Sequence, residues 1–445
     1  MTDLSDSRPS IVDLAEAIQN HTETISDYLS QNSLPELSSL SDGYPFFPGT
    51  GPPHLDRYPK PPQKVLDART QAREACESLM QLITGPADQY FYYITQHLNS
   101  VALQYLYRFR IAESVPLNER CTFQDVATKA GVDAGQCTRV LRMAMTSGYF
   151  QEPTIGYVAH TAGSMLLLDP NLRDAAGYVV EESLPASGKT VEAILKWPQV
   201  DETNETAWNL AHGSDLPMFQ FFESHPARME RFMGAMRMMS EGEGYDIKHL
   251  VNGFDWKALG EGLVVDVGGS FGHCSYSIAD TAPKLSFVVQ DLEKVIRTAK
   301  TERINDRHGE RVKFEAHDFF EPQPIRNADV YLLRFICHDY SDKYAAKILA
   351  NIVSAMGPNS KILIVDGVLP PPGTLTKAEE RKLRILDMNM LISFNGGERD
   401  VEGWKSLFKR ADSRLGLQHM WTPPDSALSL MELALAQSES VVSPT

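Results

Sequence analysis

The chain has 445 residues, with 42 Lys+Arg against 58 Asp+Glu, a formal net charge of −16, and 42 % hydrophobic residues. At roughly 100–200 residues per domain the length predicts two or three globular domains with a sizeable core. The acidic balance disfavours a protein that mainly grips nucleic-acid phosphates or an anionic membrane surface.

No apolar run approaches the ~18 residues needed to span a bilayer. The N-terminal MTDLSDSRPS lacks the basic-then-apolar order of a secretion signal. Five cysteines (Cys76, Cys121, Cys137, Cys274, Cys337) are scattered with no C-x-x-C pair, so they read as reduced thiols of a cytoplasmic protein, neither a disulfide framework nor a zinc site. The expectation is a soluble protein with no membrane or nucleic-acid partner.

Residues 1–64 read as an extension. Ile11, Leu14, Ala15, Ile18, Ile25 and Leu29 fall at helical spacing. Seven prolines then follow between Pro45 and Pro62, a density that predicts a surface linker, because each removes a backbone donor and fixes φ. From 65 to 175 the pattern is helical. Thr122 sits where an N-cap starts a short helix and Gly131 where it ends, a second helix runs from about Ala134 to Thr146, and QEPTIGYVAHT reads as a hairpin. This order outlines a winged helix. Arg139 and Arg142 are a thin footprint for DNA in so acidic a chain, which favours a structural or dimerising role.

Residues 176–245 are helical again, with Met229, Phe232, Met233 and Met236 on one face. Such a stripe is more often core than ligand wall, although flexible thioethers suit an adaptable pocket for flat aromatic ligands. After Gly253 the period changes. LVVDV, LSFVVQDL, DVYLLRFI and KILIVDGVL are short apolar runs alternating with helical segments, which predicts an α/β fold with a mostly parallel, doubly wound, Rossmann-like sheet.

The chemistry concentrates at the ends of these strands. Asp266 precedes Gly268, Gly269 and Gly272 at a strand-to-helix turn, where glycines admit a ligand close to the backbone. The spacing misses G-x-G-x-x-G, and an acid before the glycines suits an ammonium or sulfonium ligand better than a pyrophosphate. Asp291, on the next strand, is placed to take both ribose hydroxyls of a nucleoside. Asp318 and Phe319 offer an acceptor for an exocyclic amine beside an apolar surface for a purine. His338 and Asp339 follow the fourth strand, Asp366 closes the fifth, and Glu398 lies in FNGGERD. A histidine titrates near neutrality, and a carboxylate on its far nitrogen fixes the tautomer and stabilises the imidazolium. No metal-ligand spacing stands out.

In order and spacing, DVGGSFGH, the Asp291 strand, HDFF, RFICHDYSD, KILIVDGVLP and FNGGERD resemble the S-adenosylmethionine-dependent O-methyltransferases of the plant caffeic acid and flavonoid type and their fungal secondary-metabolite relatives. The likeness runs from about residue 95 to about 435. It implies a winged-helix-like dimerisation domain over 65–175 and a methyltransferase domain over 176–445, with 176–245 contributing to the substrate pocket. It implies a homodimer using S-adenosyl-L-methionine and no metal.

By the same resemblance Gly268 and Gly269 approach the methionine moiety, Asp291 holds the ribose, Asp318 and Phe319 flank the adenine, and Arg334 sits beside the cofactor. His338 is the general base, Asp366 and Glu398 bracket it, and Asp339 contacts the acceptor. Phe232, Met236, Phe335, Met390 and Phe394 clamp the acceptor ring. Three positions depart from the plant pattern: Ser270 for a glycine, Arg334 for Lys, and Asp366, one methylene shorter than Glu. The activity implied is methyl transfer to a phenolic or enolic hydroxyl of an aromatic or polyketide-type small molecule. The competing readings are an inactive regulator on the same fold, a nicotinamide oxidoreductase, and N- or C-methylation.

Overall fold

The computed structural model describes residues 9–52, 54–199, 201–240, 242–302 and 308–436. Most of the N-terminal stretch read above, and Pro53, lie outside the described residues. The chain divides into two compact units, one drawn from residues 1–185, 222–241 and 375–382, the other from 186–221, 242–374 and 383–445.

In the first unit the helix Ile11–Gln31 starts at a capping box: the Ser10 hydroxyl accepts from Asp13 N and the Asp13 carboxylate from Ser10 N. Its Ile25 and Leu29 are buried against Val65, Ala68 and Ala72 of the helix Gln63–Thr95. That second helix is kinked at Gly85 (φ 73), ahead of Pro86, whose missing N–H cannot continue the ladder.

Among its described residues, the proline-rich stretch between them, read above as a surface linker, is tied by hydrogen bonds. Tyr44 Oη donates to Leu55 O (2.7 Å) and to Asp56 Oδ1 (2.9 Å), Gly51 N donates to Asp56 Oδ2 (2.7 Å), and Phe47 is buried in the helix–helix core.

Further on, Thr122 caps the helix Phe123–Ala130, Gly131 ends it at φ 70, and Asp133 caps Ala134–Met145. Strands β1 (Cys121–Thr122), β2 (Gln151–Thr154) and β3 (Tyr157–Ala159) form a small antiparallel sheet in the order β1-β3-β2. Val126, Leu141, Phe150 and Val158 fill its core. Arg142 pairs with Glu152 of the hairpin at 2.9 Å.

The second unit is built on a seven-stranded sheet. Its strands are β4 (Leu263–Val267), β5 (Ser286–Asp291), β6 (Val312–Ala316), β7 (Val330–Arg334), β8 (Lys361–Asp366), β11 (Leu415–Trp421) and β12 (Ser429–Leu435), in the order β11-β12-β8-β7-β4-β5-β6. β4 to β8 are parallel, and β12 and β11 add an antiparallel edge. A separate parallel pair joins β9 (Val368–Leu369) and β10 (Arg399–Asp400).

Because successive side chains alternate, both faces of the central strands must be apolar. Val265, Val267, Leu333 and Ile364 pack one face with Trp404 and Phe408, while Val264, Val289, Leu332 and Val365 pack the other with Trp256 and Ile278. The chain winds outward from β4 through β5 to β6, then returns to place β7 on the other side of β4. That reversal opens a crevice beyond the carboxyl ends of β4 and β7, the position where such sheets bind ligands. No helix among the described residues is long and apolar enough to cross a membrane.

Candidate active site

The turn after β4 forms one wall of the crevice. Gly268 has φ +71, and a Cβ there would lie 2.6 Å from Ile336 Cδ1, so only glycine leaves the backbone open to a ligand. Ser270 also has positive φ (51), where an L side chain is strained. It is held there by Asp291, which closes β5: Asp291 Oδ2 accepts from Ser270 N (2.9 Å) and Oδ1 from Leu292 N (2.8 Å). Burial raises the Asp291 carboxyl, and these two N–H donors work against it. Asp266, read above as an acid suited to a cationic ligand, is 2 % exposed and accepts from Ser275 Oγ (2.7 Å) in the following helix. Burial pushes its carboxyl up to about 6.

After β6, Asp318 is exposed and accepts from Phe320 N at 2.9 Å. The Phe319 ring meets Tyr340 edge-on at 5.7 Å and would touch a Cβ on Gly268 at 3.6 Å, so it lies against the glycine turn. Arg334, at the end of β7, donates from Nη2 to Tyr245 O at 2.5 Å and lies 4.8 Å above the Phe335 ring. Phe335 is itself held at φ +56.

His338 sits on the short turn Cys337–Asp339 just beyond. Arg399 fixes this turn, donating to Cys337 O (2.9 Å), Tyr340 O (2.8 Å) and Asp342 Oδ1 (2.8 Å). Gly397 N donates to His338 O at 3.0 Å, and a Cβ on Gly396 would fall 2.2 Å from that oxygen. The glycines of FNGG thus let the Glu398 segment pass against the histidine backbone.

Four titratable groups meet there. His338 Nδ1 is 2.8 Å from Glu398 Oε1 and 3.7 Å from Asp366 Oδ1, and Nε2 is 3.5 Å from Asp339 Oδ1. The His338, Asp366 and Glu398 side chains are 8 %, 0 % and 2 % exposed; that of Asp339 is 17 %. Burial alone pushes the imidazole down, but the charges of Asp366, Asp339 and Glu398 outweigh it and carry His338 up to about 10. Burial lifts Asp339 to about 7 and Asp366 to about 6. Neither Asp366 oxygen has a hydrogen-bond partner among the described residues. The short side chain thus leaves a gap that Glu398 does not.

Phe335 lies 5.4 Å from the His338 ring, and Phe394, buried with Met390 at the end of the helix Lys377–Phe394, stacks on Phe219 at 5.2 Å. Phe232 and Met236 lie on the helix Pro226–Ser240 of the first unit, Phe232 against Tyr178 (5.5 Å) and Phe222 (5.8 Å).

Sequence reasoning missed Tyr340, Tyr245 and Arg399. Burial, then the fields of Asp339, Asp291 and Asp318, push the Tyr340 phenol up. Arg399 adjoins Glu398 in FNGGERD, but only tertiary structure shows that it is buried and pairs with the histidine turn.

Residues 194–414 match the model of the O-methyltransferase domain family. The chain is 41 % identical over 427 residues to the O-methyltransferase VdtC of Byssochlamys spectabilis, covering 94 % of this chain and 96 % of that protein. It is 38 % identical over 437 residues to the O-methyltransferase aurJ of Gibberella zeae, covering 96 % and 97 %. The crystal structure of OxaC shares the fold at a TM-score of 0.72 and 21 % identity, over 95 % of this chain and all of that one. With relatives this similar along nearly the whole length, the chain belongs to the O-methyltransferase family.

Proposed function

We propose that the protein transfers a methyl group from S-adenosyl-L-methionine to a phenolic or enolic hydroxyl of an aromatic or polyketide-type small molecule, with His338 as general base. The observation that carries this reading is a buried imidazole with Nδ1 hydrogen-bonded to Glu398, set beside a glycine turn whose backbone is open to a ligand. The residues fit the donor: Gly268 leaves the room a Cβ would fill, and Asp291 keeps lone pairs for ribose hydroxyls beyond the two it gives to backbone N–H groups. Gly268, Gly269, Asp291, Asp318, Phe319 and Arg334 would hold it. When bound, it supplies an activated methyl on a positively charged sulfur. Solved relatives of the same fold include OxaC with sinefungin and meleagrin, and OxaC with SAH and oxaline.

The chain's own work is to orient the acceptor and remove its proton. Glu398 holds Nδ1–H, so Nε2 is the nitrogen that faces the hydroxyl. Asp366 adds negative field from the same side, stabilising the imidazolium that forms on proton uptake. Phe335, Met390 and Phe394 supply apolar contacts for the acceptor ring; Phe232, Met236 and Asp339 are assigned acceptor contacts on the family resemblance. Positioned general-base help is commonly worth ~10²–10⁴-fold.

The helix–helix–hairpin order at 122–161 supports a winged-helix-like region, and the exposed aromatic run Tyr90, Phe91, Tyr92 and Tyr93 (64–76 % exposed) supports a homodimer. Domains are assigned as 1–64, 65–175 and 176–445.

A second reading keeps the fold without methyl transfer. A structure titled "A Pericyclic Reaction enzyme" shares this fold at a TM-score of 0.67 and 19 % identity. Incubation with methyl-labelled S-adenosyl-L-methionine and a panel of phenolic acceptors separates the two. Label in an ether product supports O-methylation; donor binding with no label transferred to any acceptor supports the second reading.

A further inference from the structure

The cluster around His338 holds more negative charge than a base of this kind requires. One carboxylate, Glu398, already sets the tautomer at 2.8 Å. Asp339 lies 3.5 Å from the other nitrogen, and Asp366 adds a third carboxylate at 3.7 Å whose oxygens have no hydrogen-bond partner among the described residues. Three carboxylates in a buried site need compensating positive charge.

The other groups facing them supply little. Arg399 acts on Asp366 but is bonded to Asp342 and to the carbonyls of Cys337 and Tyr340. The Cys337 thiol and the Tyr245 phenol are both pushed up by burial and stay neutral. Above the range in which Asp339, raised to about 7, is itself protonated, the compensating charge is therefore a proton on the imidazole, on the nitrogen that a base must have free.

We propose that Asp339 is a positioning residue that, together with Asp366, keeps His338 protonated until a cation enters the site, so that the cationic methyl donor lowers the proton affinity of the base on binding and its neutral product does not. This rests on the reading of His338 as general base. A base that takes a proton from the attacking oxygen shares its site with the donor's positive charge. Two cations beside the same carboxylates compete, and the mobile one leaves: the Nε2–H bond breaks, its electron pair stays on the ring, and the proton passes to water. The elevated proton affinity of His338, which reaches about 10, agrees with this geometry. The sign follows. Because the seated cation lowers that affinity, net proton release is small at pH 7 and grows toward pH 9.

The test is titration calorimetry of the full chain with S-adenosyl-L-methionine and with S-adenosylhomocysteine, each in buffers of different ionisation enthalpy at pH 7, 8 and 9. The expected result is proton release with the donor that rises with pH and exceeds the release with the product. The excess is lost in His338→Gln, which also subtracts any contribution of the ligand's own ammonium group. It is reduced in Asp339→Asn and restored in Asp339→Glu. Equal release by donor and product in the wild-type protein, a comparison that needs no variant, overturns the proposal. So does equal donor-linked release in wild type and His338→Gln. Absence of binding by either ligand overturns the donor reading itself, and this proposal with it.

Discussion

His338 carries a carboxylate on each ring nitrogen, and the balance among them sets its chemistry. Glu398 is near enough to share a hydrogen bond at 2.8 Å, whereas Asp366 stops at 3.7 Å. Asp366→Glu is therefore expected to retain or raise turnover, and Asp366→Asn to lower it by about tenfold, a small part of the ~10²–10⁴ of general-base catalysis. Initial rates on one acceptor check both.

The proton balance also reaches stability. His338 is raised from 6.5 to about 10, so its contribution is fully present below pH 6.5 and is lost as pH rises through 10. Asp339 and Asp366, raised to about 7 and about 6, shift stability in the same direction at lower pH. Thermal melts from pH 6 to 10 should show a falling Tm, with the gap between wild type and His338→Asn narrowing toward pH 10.

Ser270 presents a separate case. At φ +51 it holds a conformation that costs an L residue roughly 1–2 kcal/mol, so Ser270→Gly should leave Tm unchanged or raise it, the glycine's greater freedom in the unfolded chain offsetting part of the gain. A fall of several degrees would contradict the strain argument.

Elements bring these residues together, and their legibility in the sequence was uneven. Strand ends were readable because fully buried parallel strands are short apolar runs, and the chemistry begins where LVVDV, SFVVQD, VYLLR and KILIVD stop. Thr122 and Gly131 marked their helix because capping is local chemistry.

Contacts between distant segments left no local trace. Tyr44 finds Asp56 across twelve positions, a tie within the proline-rich linker that no local pattern shows. Arg399 reaches Cys337 across sixty-two. The hydrogen bond from Ser275 to Asp266 across the glycine turn was likewise not legible in the sequence.

At Gly396 two segments pass so closely that a Cβ would lie 2.2 Å from His338 O. Gly396→Ala should displace the Glu398 segment and lower turnover at least tenfold while donor binding at the β4 turn is kept. Parallel calorimetry and rate measurements separate the two.

At the scale of the whole molecule, the first unit leaves Tyr90, Phe91, Tyr92 and Tyr93 largely in solvent. Exposed apolar clusters of this kind mark protein contact surfaces. Light scattering should give twice the 49.6 kDa chain mass, and Tyr92→Glu with Tyr93→Glu should shift the protein toward the monomer. A wild-type monomer at micromolar concentration would contradict the dimer assignment.

The central claim concerns the base, and the most direct measurement compares wild type with His338→Asn. Binding of S-adenosylhomocysteine is read by calorimetry, and transfer of labelled methyl to a phenolic acceptor is read on the same samples. The account predicts binding within about threefold of wild type and a loss of transfer in the ~10²–10⁴ range. Transfer at the wild-type rate with binding intact would contradict it.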